Sequence, residues 1–120
     1  MPELNLDTAF NLPITGIYEG HSFEIEFLRF ADDGTTPENW TPATYTMGIA
    51  LKESGPALLT FATGTGITRT GNLLKVTCLK EQNILIGKKK YFYDLYSDLG
   101  GGMTRPEGRG TITVNYSISR

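Results

Sequence analysis

At 120 residues, with 39% apolar side chains, the chain reads as one domain long enough for a single hydrophobic core, burying roughly two-thirds of its unfolded surface without metal or disulfide. Its single cysteine, Cys78, excludes an intrachain disulfide and a thiolate zinc site, and reads as a small buried apolar residue. The net charge of −2 argues against general nucleic-acid binding, and no apolar run approaches the roughly 20 residues that span a bilayer.

The opening stretch, MPELNLDTAFNLPITG, has neither the basic start nor the continuous apolar segment of a signal peptide, so folding in a cytosol is expected. Residues 1–15, with Pro2 and Pro13, read as an extended N-terminal arm, and residues 16–120 as a single domain. Phe23, Ile25 and Phe27 alternate with Glu24 and Glu26, the period of a strand with one wet face. Ala31 to Thr41 reads as a loop, after which Tyr45, Met47, Ile49 and Leu51 repeat the alternation. Leu58 to Ala62 is a short apolar run following a second loop at residues 54–57. Ile67–Arg69 and Leu73–Leu79 flank Thr70, Gly71 and Asn72, a tight hairpin signal that places Leu74, Val76 and Cys78 on one face. Leu79 to Ile86 is the one stretch able to make a turn or two of helix, stopped by Gly87. Tyr91, Tyr93 and Leu95 alternate with Phe92, Asp94 and Tyr96. A glycine-rich loop is then expected from Ser97 to Gly110, unordered until a partner orders it, because it offers little apolar surface. Ile112, Val114, Tyr116 and Ile118 form the last alternating run. The expectation is an all-β fold, an antiparallel immunoglobulin-like β-sandwich of about seven or eight strands with at most one short helical turn.

Charge is unevenly spread along the chain. Residues 1–60 hold most of the acids against Arg29 and Lys52, whereas residues 61–120 hold most of the bases. Interleaving in a sheet neutralises this split; segregation to opposite ends favours head-to-tail association.

Candidate chemistry is sparse. His21 is the only histidine, and its neighbour Ser22 points to the opposite face of a strand. Glu24 and Glu26 share a face at roughly 6.6 to 7 Å, which overlaps the spacing of inverting glycosidases, but any solvated strand face gives the same pattern. The glycines of ATGTGITRTGN lack the Gly-Lys-Ser/Thr helix start of a phosphate loop and read as a β-turn. Lys88, Lys89 and Lys90 precede aromatics that alternate across two faces. Asp94 and Asp98 sit among those aromatics and repel a phosphate backbone. The sequons at Asn39 and Asn115 carry no weight without a secretory signal. No catalytic residue, metal ligand or cofactor site is assigned.

In order and spacing, the layout resembles the N-terminal β-sandwich of siphophage upper baseplate proteins and related small phage tail and head proteins. The matching residues are Gly20-His21-Ser22-Phe23, Asp33-Gly34, the alternating strand Tyr45 to Leu51, the turn Leu79 to Gly87, the run Tyr91-Phe92-Tyr93-Asp94-Leu95, and the closing strand Gly110 to Ile118 with Ser119 and Arg120. The family's Gly-Asp-Thr-type start is Gly-His-Ser here, and longer members continue into a coiled coil and receptor-binding parts. The resemblance implies a non-catalytic virion protein in a tail, baseplate, head-fibre or capsid-decorating position. It would be made in the host cytoplasm and form homo-oligomers that contact other virion proteins, with no membrane or nucleic acid as partner. Candidate partner-contact residues are Leu4, Leu6, Phe10, Leu12 and Pro13 of the arm, with Arg105 and Arg109 of the glycine-rich loop. The alternative is a carbohydrate-binding module that stacks sugars on Trp40 with Tyr18 or Tyr45.

Overall fold

The computed structural model describes residues 10–115, except 32, 41, 54 and 86–88; of Phe10, Asn11 and Lys89 it describes the backbone alone. Among the described residues nine strands form, in chain order: β1 (Phe10–Asn11), β2 (Ile14–Tyr18), β3 (Phe23–Leu28), β4 (Thr44–Ala50), β5 (Ala57–Thr63), β6 (Gly66–Thr70), β7 (Leu73–Cys78), β8 (Lys89–Gly100) and β9 (Met103–Asn115). The helical turn expected between β7 and β8 is a short 3-10 turn, Lys80–Gln82, closed by the Gln82 side chain, which accepts the Leu79 N–H at 2.9 Å.

All nine strands belong to one sheet, ordered β1-β9-β8-β4-β5-β6-β7-β3, with β2 also pairing β9. The fold is all-β as expected, and the single sheet curls into a nearly closed, barrel-like layer. Its corner is the β5–β6 junction, only two residue pairs long. Around that corner the β6-β7-β3 face folds over the β4-β8-β9 face, and Phe27 of β3 meets Tyr93 of β8 across the interior at 6.2 Å between ring centres.

Strict period-2 patterning places the core. Tyr45, Met47 and Ile49 of β4, Leu74, Val76 and Cys78 of β7, Leu95 of β8, and Ile112 and Val114 of β9 are all fully buried in one cluster. The charge halves interleave: Glu24 of β3 meets Lys75 of β7 at 3.5 Å, and Arg29 meets Glu107 at 3.9 Å.

Two segments differ from expectation. Ser97–Gly110 is not a loop: β8 and β9 pair from Lys89↔Val114 to Gly100↔Met103. The reversal is confined to Gly100, Gly101 and Gly102, whose φ values of 90°, 62° and 80° suit residues without a Cβ. The described part of the arm is not free either, because Phe10 and Asn11 run parallel to Gly108 and Arg109 of β9, and Ile14 pairs Ile112.

Candidate functional site: an open seam and a polar barrel end

β2 and β3 are consecutive and joined only by Glu19 to Ser22, yet they do not pair. β2 bonds to β9, and β3 bonds to β7. Between them lies a slot of about 500 Å³, lined by residues 12–17 and 22–27. Gly16, at φ +86°, sits in a register shift between Ile14 and Ile17 that bends β2. At the turn, the Asn83 side-chain amide donates to the carbonyls of Tyr18 (3.1 Å) and His21 (2.8 Å), while its own oxygen accepts the Leu85 N–H. A side chain from another part of the chain thus satisfies a turn that hairpin pairing would otherwise organise. The three most exposed core residues, Phe23 (9%), Ile25 (7%) and Phe27 (5%), all lie on β3 beside this slot.

At its far end the seam is bridged by charge. Arg29, just past β3, reaches Glu107 of β9, and Arg105 reaches the same carboxylate at 3.3 Å. Glu107 is placed there by a β-bulge: Leu95 pairs Gly108 and Tyr96 pairs Pro106, so Glu107 is the extra residue, next to a proline with no N–H to donate. Its carboxylate accepts the hydroxyl of Ser97, a residue only 1% exposed, at 2.8 Å. Arg29 also pairs with Glu38 at 3.1 Å and lies 5.5 Å from the Trp40 ring centre. Trp40 donates its indole N–H to Asn72 O (3.0 Å) and Phe27 O (3.3 Å), and meets Tyr45 edge-on at 5.5 Å. Burial, and secondarily the Glu107 charge, raises the Tyr45 phenol above its ordinary range.

On the outer face a dish of about 400 Å³ lies over β4, β8 and β9, bordered by Lys52, Glu53 and Gly55. Phe92, Asp94 and Arg109 line it; Asp94 and Arg109 occupy directly opposed positions.

The residues singled out in the sequence are thus dispersed. Leu4 and Leu6 lie outside the described residues, as does the side chain of Phe10. Leu12 and Pro13 are exposed on the slot, Arg105 belongs to the Glu107 cluster, and Arg109 borders the outer dish. Of the sugar-stacking set, Trp40 (4%) and Tyr45 (0%) are buried and only Tyr18 is half exposed. Cys78 is buried, and desolvation raises its thiol to a pKa of about 11. Glu24 and Glu26 lie on the solvent face of β3. On β8 the aromatics Tyr91 and Tyr93 face inward, leaving Phe92 and Tyr96 on the outer face with Asp94 and Asp98. Among the described residues, no group of three His, Cys, Asp or Glu side chains is placed to hold a metal ion. Glu107 and Asn83 carried no local signal. Gly108 and Gly110 did: glycines two apart on a strand point to the same face, where something must approach closely.

No protein-family model matches the chain, and no curated protein matches its sequence.

Proposed function

We propose that this chain is a non-catalytic structural protein of a phage virion, an oligomerising scaffold or adaptor of the tail, baseplate, head-fibre or capsid-decoration type. It would be made in the host cytoplasm and contact other virion proteins. The observation that carries this reading is the open seam. Two consecutive strands, β2 and β3, turn one edge each toward a slot in which no described strand pairs with them. Edges of this kind are templates for strand addition by another chain. The order and spacing of the motifs quoted above support the phage assignment, and the short β5–β6 corner supports an immunoglobulin-like sandwich opened into one sheet.

The sugar-binding alternative loses its platform, since two of its three aromatics are packed against each other inside the barrel. The test is molar mass by light scattering across concentration and salt, with electron microscopy of whatever forms. Discrete rings or regular oligomers are expected. A strict monomer that neither self-assembles nor co-assembles with virion proteins overturns the reading.

A further inference from the structure

We infer that the slot between β2 and β3 accepts the N-terminal segment of a second copy of this chain, residues 2–9, as an added strand that closes the barrel. This rests on the scaffold reading above and names its partner.

Among the described residues, no strand pairs along the edges of β2 and β3 that face the slot. β3 pairs with β7 along one side only, and its inward residues Phe23, Ile25 and Phe27 retain the largest exposure of the core. On the β2 side the lining includes Pro13, which has no N–H to donate, so β3 with six non-proline residues is the stronger pairing edge. Residues 3–8 of the sequence, ELNLDT, match β3 in length, and Leu4 and Leu6 alternate with Glu3, Asn5 and Asp7. That is a strand with one dry side for the interior and one wet side for solvent.

Chain direction selects a neighbour over the chain's own slot. β1 and β2 run parallel to β9, so residues 1–9 lead into the sheet at Phe10, opposite Gly108. Folding back into the same slot needs a tight reversal just before Phe10. The segment offers no glycine and no Asn-Gly or Asp-Gly pair with which to make one. Donation to a second copy needs no reversal, and because each copy both donates and accepts, the contact is head-to-tail and builds rings or chains.

The insertion also carries an electrostatic signature. Its wet side brings Glu3 and Asp7 beside Glu24 and Glu26 of β3, so like charge opposes it and added salt strengthens it.

The experiment compares the full chain, a chain lacking residues 2–9 and a Leu4→Asp/Leu6→Asp chain by light scattering, with circular dichroism confirming that each is folded. A labelled peptide of residues 1–9 is titrated against the shortened chain by fluorescence anisotropy. Assembly is expected for the full chain and lost in both variants. The peptide is expected to bind the shortened chain saturably, more tightly as sodium chloride rises and more tightly to the Glu24→Lys/Glu26→Lys form. The Leu4→Asp/Leu6→Asp peptide should bind about ten-fold more weakly or worse. Undiminished assembly of both variants overturns the inference while leaving the scaffold reading intact. Peptide binding to a shortened chain whose full-length form is monomeric assigns the slot to the chain's own segment and overturns the second-copy donor. A full chain that stays monomeric, together with a peptide that does not bind, overturns the inference, and the scaffold reading then stands or falls on co-assembly with virion proteins.

Discussion

The Leu12 carbonyl accepts the Tyr93 hydroxyl at 2.7 Å, which ties the segment between β1 and β2 to the floor of the barrel. The same residue donates its N–H to the Arg109 carbonyl at 3.2 Å, and its carbonyl lies against Gly110. A Cβ on Gly110 would collide with the Leu12 carbonyl oxygen and stand 3.0 Å from a Tyr93 ring carbon. Backbone cannot yield as a side chain does, so Gly110→Ala must displace the arm or shift β9. A loss of about 1–3 kcal/mol is expected in urea unfolding, and Tyr93→Phe should cost about 1 kcal/mol. If Gly110→Ala is neutral, the Leu12 peptide does not lie where it is placed.

The Glu107 cluster gives a second prediction, resting on a contrast in exposure. The Glu107 side chain is 8% exposed and serves Arg29, Arg105 and Ser97, whereas that of Glu38 is 50% exposed and serves Arg29 alone. Glu107→Ala strands the buried Ser97 hydroxyl and takes a carboxylate from Arg105 and from Arg29, which keeps Glu38, so it should cost about 1–3 kcal/mol. Glu38→Ala should cost under about 1 kcal/mol. Urea titrations followed by the fluorescence of the single tryptophan report both. Equal, small losses would show that Glu107 does not hold the barrel end together.

Much of this fold was legible as alternation. The inward sets Phe23/Ile25/Phe27, Tyr45/Met47/Ile49, Leu74/Val76/Cys78 and Ile112/Val114 follow from period 2 alone, and the Gly71 hairpin from its turn residues. Alternation says which way a side chain points but not which strand lies beside it. The parallel docking of β1 and β2 on β9, and the gap between β2 and β3, depend on partners about a hundred residues away in sequence or on none. The glycine-rich stretch misled for a related reason. Glycines signal reversal, but here they are gathered at three adjacent residues, and Ser97, Arg105 and Glu107 on either side hold a regular hairpin through side-chain contacts. The sequence leaves Trp40 between stacking a sugar and, more often for a single Trp beside a strand, closing one end of a core; burial bears out the second, though its acceptors, the carbonyls of Phe27 and Asn72, lie far away in sequence.

The burial of Trp40 is directly measurable. With its indole N–H hydrogen-bonded and the residue 4% exposed, its emission should be blue-shifted and weakly quenched by acrylamide in the native state. Unfolding should abolish both properties. Neutral sugars should leave the emission unchanged, and a saturable sugar-dependent shift would restore the carbohydrate-binding alternative.

Alkaline pH should destabilise the barrel through groups held neutral inside it. Burial raises the Tyr93 phenol from 10.0 to about 12, and burial alone raises the Cys78 thiol from 9.0 to about 11. Both acids lose their protons more readily in the unfolded chain than in the folded one. Between the two values the folded state therefore binds more protons, and stability falls as pH rises. The contribution is complete below pH 9 and is lost from Cys78 between about 9 and 11, then from Tyr93 between 10 and about 12. Urea midpoints measured in steps from pH 8 upward should show this decline, and Tyr93→Phe should flatten its upper part whatever that substitution costs at neutral pH. The native thiol should also react with a disulfide reagent at pH 8 only at the rate of global or local opening. A thiol that reacts as fast in the folded protein as in urea would place Cys78 at the surface and remove its part of the pH dependence.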